Sequence, residues 1–404
     1  MDSDFDFAVH QRYLDDFFAH AHIKNPVLKE SHIRNRLRAI SLNGIGWNAE
    51  SCLLLVILAI GALSQPFGSA PDHKCDSEYR AAQSLYAAAQ KRVGSLIHAD
   101  YLIQAQCAMF SGVYLMSVLQ PFNAWRMFIN GLTLCQAFES LRDTAKDGTT
   151  QSATQAEESV YWSCWKSERE LRLELRLPDF TTAGLDHPQM FPSLPQGCEG
   201  DSMRAWYFYL AEISIWRIET SIRKDLAGLD SSISMEELAS RMEALEEPVT
   251  SWKASLPPVI SLSEDIADTE RDVLRFVLRG RLTYNYELFT WPFVRAAILG
   301  QLPSGPLATR AAIKGLQTHY DRLFINRPGF AYRHHGTWLM QRSSARSGCI
   351  LIAAATTLPS DWLPNDWAPM VWRTISMLDN WRHNVAGLGD IADLMRATMS
   401  RLNV

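Results

Sequence analysis

Apolar residues recur at three- and four-residue steps along almost the whole chain, and strand-like alternation bounded by Asn-Gly or Asp-Gly turns is nearly absent. That spacing gives a helix one apolar face, whereas a half-buried strand needs a period of two. The expected class is therefore all-α, a compact multi-helix array of about 14 helices with no significant sheet.

Phe7, Tyr13, Leu14, Phe17 and Phe18 mark a first helix over 5–22, which Pro26 stops, and a second runs from about 27 to 42. The turn Asn43-Gly44-Ile45-Gly46 leads to the most apolar run, Cys52 to Leu63. Its twelve residues fall short of the ~20 a membrane helix needs, so a buried core helix is expected and no membrane span. Helices over 77–94, 100–119 and 122–140 precede a polar linker, Asp143 to Ser152. Thr154-Gln-Ala-Glu157 reads as a capping box that opens a helix halted by Pro178, followed by a Pro-rich stretch to Gly200. A buried helix over 203–226 and a second capping box, Ser234-Met-Glu-Glu237, come next. The helix from Asp272 to Leu299 contains Trp291-Pro292, which is expected to kink or break it. Helices at about 304–325, 336–357, 366–386 and 389–402 complete the chain. By domain, residues 1–48 form N-terminal helices before a body over 49–404, with internal boundaries at the 143–153 loop or the 178–200 connection.

The chain has 404 residues, enough to bury a sizeable core without a metal or disulfide. Its net charge of −5, with no long Lys/Arg stretch, argues against direct nucleic-acid contact; Arg34, Arg36 and Arg38 read as a solvated helix face. Seven cysteines stand more than twenty residues apart, so no zinc-binding spacing exists, and most are expected to be buried, reduced thiols. The acidic start, Met-Asp-Ser-Asp-Phe, is unlike a targeting peptide. These features point to the nucleus or the cytoplasm.

Few motifs survive inspection. Gly44-Ile-Gly46-Trp-Asn-Ala49 has the form of a dinucleotide fingerprint, but the segment before it is helical and no carboxylate lies near 66–70. Asp15-Asp16-Phe-Phe-Ala19 has part of the aspartate-rich pattern that holds magnesium in helical terpene synthases, but its last acidic position is Ala19. Neither a G-x-S-x-G elbow nor an H-E-x-x-H pair occurs. No metal and no cofactor is expected, and no catalytic residue is assigned.

Two clusters are the candidate ligand-binding residues. Glu168, Arg169, Glu170, Arg172 and Glu174 crowd one helix, where Glu168 and Arg172 either link packed helices or orient a polar ligand. Tyr284, Tyr286, Glu287 and Trp291 share another helix, and Tyr332, Arg333, His334, His335 and Trp338 form the most chemically varied group. Aromatic walls with a few polar groups build small-molecule sites. Adjacent histidines at a helix start also serve as caps or surface groups, so both readings stand.

The segment Glu158-Ser-Val-Tyr-Trp162-Ser-Cys-Trp165-Lys-Ser-Glu168-Arg169-Glu-Leu-Arg172-Leu-Glu174-Leu-Arg-Leu-Pro178, with Phe191-Pro-Ser-Leu-Pro195 after it, resembles the middle homology region of fungal zinc-cluster transcription factors. Asp100 to Cys135, Trp206-Tyr-Phe-Tyr-Leu-Ala-Glu-Ile, Trp252-Lys-Ala-Ser-Leu-Pro257 and Arg271 to Ala296 are similar to family segments in the same order, so the resemblance spans roughly 50–385. It implies a helical regulatory domain that responds to a small-molecule metabolite. No six-cysteine zinc cluster or coiled-coil linker precedes residue 50, so the chain is expected to be either a truncated family member or a stand-alone relative that has lost DNA binding. Such a relative would be a cofactor-independent cyclase or isomerase of secondary metabolism that reuses the helical pocket. A homodimer through helical faces is the remaining partner expectation.

Overall fold

The computed structural model describes residues 6–68, 76–138, 151–179, 191–195, 197–229, 233–264 and 270–402. Among the described residues there are fourteen α-helices and no strand. The helices are α1 (Phe7–Asp16), α2 (Glu30–Asn43), α3 (Ala49–Leu63), α4 (Asp76–Gln90), α5 (Tyr101–Ser117), α6 (Pro121–Cys135) and α7 (Gln151–Leu175). They continue with α8 (Gly200–Ala227), α9 (Met235–Ser255), α10 (Val273–Ile298), α11 (Pro306–Asn326), α12 (Thr337–Thr357), α13 (Trp367–Asn380) and α14 (Leu388–Leu402). The all-α expectation holds.

The chain divides into two compact units, one of Met1–Leu210 with Tyr332–Trp338, the other of Ala211–Ala331 with Leu339–Val404. Helices α8 and α12 each pass from one unit into the other along the chain.

In the first unit, α3 is the core: every residue but Glu50 is buried, against α1, α4 and α5. No described helix is long and apolar enough to cross a membrane. Asp6 caps α1, accepting from the amides of Ala8 at 2.9 Å and Val9 at 3.3 Å, and the chain then widens through a π turn, Phe17–Ala21, and tightens through a 3-10 turn, His22–Lys24, before Pro26. Gly44, with φ of 79°, ends α2, and Asn48 opens α3 by accepting from the Ser51 amide at 2.8 Å. The dinucleotide-like glycines therefore form a helix-to-helix turn. Asp15 is spent on Arg34 at 2.6 Å, and among the described residues no group of acids, cysteines and histidines could hold a metal.

Two helix ends differ from expectation. Helix α7 begins at Gln151, so Thr154 falls inside it rather than capping it. Most of the 143–152 linker lies outside the described residues, as does Cys75. Helix α10 runs through Pro292 to Ile298 without a break. Phe293, Val294, Ala296 and Ala297 beyond the proline are buried, and Val294 meets α11 where Gly315 leaves room, so packing holds the turns that the missing N–H weakens.

In the second unit, α10 and α11 form an antiparallel pair flanked by α9, and α13 packs on α14. The second capping box is half formed. Ser234 Oγ accepts from the Glu237 amide at 3.1 Å, but the Glu237 carboxylate turns to Arg241. Its neighbour Glu236 reaches across the chain instead, accepting from the amides of Leu307 at 3.3 Å and Ala308 at 2.9 Å and capping α11.

Four of the described cysteines are buried in the first unit, and all six described are free. The Cys52 thiol is hydrogen-bonded to Cys107, and Cys135 to Cys164, and burial pushes the Cys135 thiol well up.

Candidate functional site

The buried chemistry of the second unit gathers where α10, α11 and α12 meet. On α10, Glu287 accepts from Arg322 Nε of α11 at 2.7 Å, with both side chains almost wholly buried. On α11, His319 Nδ1 lies 3.0 Å from Ser347 Oγ of α12, and Asn326 Nδ2 donates to Ser344 Oγ at 2.9 Å. These bonds run α12 antiparallel to α11. Arg346, the next residue back from Ser347, stands with its guanidinium carbon 6.0 Å from the Tyr284 ring centre.

The electrostatics of this centre are lopsided. Burial pushes the Glu287 carboxyl up, but Arg322, His319 and Arg346 outweigh it and hold the group below the usual carboxylate range. Burial pushes His319 down to about 4, more strongly than Glu287 pulls it up. At neutral pH the imidazole is therefore neutral and the two arginines carry the effect on Glu287. Glu287 thus lies in the field of two guanidinium groups.

Several atoms here have no partner. His319 Nε2, Arg322 Nη2 and both amide atoms of Gln341 are buried without a hydrogen bond. Gln341 is 0% exposed. It lies three residues before Ser344, which bonds Asn326. An unmet buried polar atom costs about 1–3 kcal/mol, so each of these atoms calls for a partner.

The residues expected from the sequence are divided between the units. Tyr284 accepts from Arg223 Nη2 at 2.6 Å, and Arg223 pairs with buried Glu219, so Tyr284 borders the centre. Tyr286 turns to the other side of α10, toward Phe289 and Lys314. Trp291 is 42% exposed on α10.

In the first unit, Glu168 accepts from Trp125 Nε1 of α6 and from Arg172 Nε, both at 3.0 Å. Arg172 also reaches Asp179 at 3.1 Å. Glu168 thus joins α6 to α7. The segment Tyr332–Trp338 docks on the same unit. Tyr332 donates to the Gln65 carbonyl at 3.1 Å and stacks on His334 with ring centres 4.9 Å apart. His334 Nδ1 accepts from the Gly336 amide at 3.0 Å, and burial, helped by Lys24, holds its pKa well below the ordinary value. His335 meets the edge of His334 at 6.3 Å, and Trp338 is buried.

His319, Arg322, Gln341 and Arg346 were missed, although a signal existed. Thr283, Glu287 and Thr290 on α10, His319, Arg322 and Asn326 on α11, and Gln341, Ser344 and Ser347 on α12 each repeat at helical steps. Polar stripes at that period ordinarily face water; here all nine residues are buried.

Fold and site define an all-helical protein of two units whose second unit holds a buried, incompletely satisfied polar centre. No protein-family profile matches the chain, and no curated protein matches it.

Proposed function

We propose that this chain is a ligand-responsive regulatory domain resembling the helical body of fungal zinc-cluster transcription factors, and that the centre between α10, α11 and α12 receives the effector. The observation that carries this reading is the set of unpartnered, fully buried polar atoms around the Glu287–Arg322 pair. A core selected for stability alone satisfies such groups or replaces them with apolar ones. A ligand that supplies the missing partners stabilises the packing in which they converge, which is the thermodynamic requirement for a switch. The ordered resemblance along 50–385 supports the regulatory role, in the nucleus or the cytoplasm.

The test is a fusion of the full chain to an unrelated DNA-binding module upstream of a reporter, in cells fed fractionated metabolite extract. Reporter output that changes with one fraction, and fails to change in Gln341→Leu, is the expected result. An unresponsive reporter, with purified protein converting a component of the same fraction, would replace regulation by the isomerase or cyclase reading.

A further inference from the structure

Helices α8 and α9 enclose a groove in the second unit. Trp252 Nε1 of α9 donates to the Ala211 carbonyl of α8 at 3.1 Å and ties the two helices together at one end. Farther along they stand around a cavity of about 320 Å³, at the small end of ligand pockets. Ile218, Ile222 and Leu245 give it an apolar floor, Ser221 and Asp225 stand one turn apart on the α8 wall, and Ala244 and Pro248 one turn apart on the α9 wall. Glu219 and Arg223, which reach Tyr284, leave from the far side of α8 at 3.6 residues per turn, so the groove lies outside the polar centre.

The polar capacity left over in this groove is mostly that of an acceptor. Pro248 sits inside α9 and has no N–H, so the Ala244 carbonyl one turn before it lacks its helical donor. The helix holds there because its other face is fixed: Val249 is 0% exposed, and Glu246 accepts from Lys314 Nζ of α11 at 2.5 Å. The Asp225 carboxylate has no hydrogen bond or ion pair among the described residues. Arg241 of α9, one turn before Leu245, is paired with Glu237 at 2.6 Å instead. Arg217, the cation of the lining, is already engaged by another group. Asp225 also stands in the last turn of α8, where the carbonyl end of a helix favours positive charge.

We infer that the α8–α9 groove binds a small apolar amine in its protonated form, with the ammonium at Asp225 and Ser221 and the hydrocarbon over Ile218, Ile222 and Leu245. A charged N–H donor on a carboxylate makes the stronger kind of hydrogen bond, and the hydroxyl one turn away can accept a second N–H. The Ala244 carbonyl on the opposite wall offers a further acceptor to the same molecule. The apolar floor supplies the burial that a lone exposed ion pair lacks. Such a ligand is additional to an effector of the polar centre and binds whether or not that centre is filled.

The experiment titrates the full chain calorimetrically with phenethylamine, and with phenethyl alcohol and phenylacetate as its neutral and anionic counterparts. Saturable binding of the amine, about tenfold tighter than the alcohol, and no binding of the acid are expected. Asp225 is exposed, so Asp225→Asn keeps the fold; it should bring the amine down to the affinity of the alcohol. Pro248→Ala returns an N–H to the Ala244 carbonyl, and should weaken the amine while stabilising the chain against urea. Equal affinity for amine and acid, or amine binding unchanged in Asp225→Asn, overturns the amine assignment. Absence of saturable binding for all three compounds overturns the site itself.

Discussion

Burial sets the protonation of His22, His319 and His334, and each carries a stability consequence whose sign follows from linkage. His22 is held at about 3, and His319 at about 4, with desolvation the first cause in both; His334 is displaced in the same direction. In the unfolded chain a histidine titrates near about 6.5. Between the two values the unfolded state binds protons that the folded state does not. The neutral imidazoles thus cost nothing above about pH 6.5, and stability falls as pH drops, by about 1.4 kcal/mol per pH unit for each histidine. Glu287 adds to the loss lower down, because its folded carboxyl lies below the ordinary value and its contribution disappears as acid protonates it. Urea midpoints at pH 7.0 and about pH 5 are expected to differ less in His319→Gln than in the parent. Equal differences would mean that His319 is already charged in the folded state.

At the scale of elements, helix packing depends on several glycines for space rather than for turns, Gly61 and Gly305 among them. A Cβ on Gly61 in the middle of α3 would overlap the Tyr13 carbonyl of α1, and a Cβ on Gly305 would overlap the Glu236 carboxylate that caps α11. The first clash is with backbone and has no rotamer to relieve it; the second meets the end of a side chain that can retreat only by giving up the cap. Gly61→Ala is expected to lose about 1–3 kcal/mol by overpacking, and Gly305→Ala about 1 kcal/mol, the worth of a helix cap. Denaturant unfolding followed by tryptophan fluorescence reads both. A Gly305→Ala chain further destabilised to the same extent by Glu236→Gln would show that the cap is not what Gly305 protects. The turn at Gly44 was legible from residue type. The Glu236 cap was not, since Ala308 stands 72 residues away and the local pattern pointed to Ser234 and Glu237.

For the whole molecule, the decisive feature is that Tyr332–Trp338 belongs to the first unit although the chain around it belongs to the second. A chain ending at Leu210 lacks the Tyr332 hydroxyl on the Gln65 carbonyl, the Phe67–Tyr332 ring contact and the Arg333 bonds to Tyr79 and Ser117. It is expected to unfold at lower denaturant than the full chain, and addition of a peptide covering 330–340 should recover part of the difference. A truncated chain as stable as the parent would show that the segment contributes nothing to that unit. The helical period, the buried α3 and the helix-to-helix turns were determined by the sequence itself, because they depend on residues three or four apart and on the conformational limits of single residues. The continuity of α10 past Pro292, the docking of Tyr332–Trp338 and the joining of three polar stripes were decided by tertiary structure. A stripe of polar residues has the same period whether it meets water or another stripe. Glu287, Arg322 and Ser347 became one centre only when helices distant in the chain packed face to face and removed the water between them.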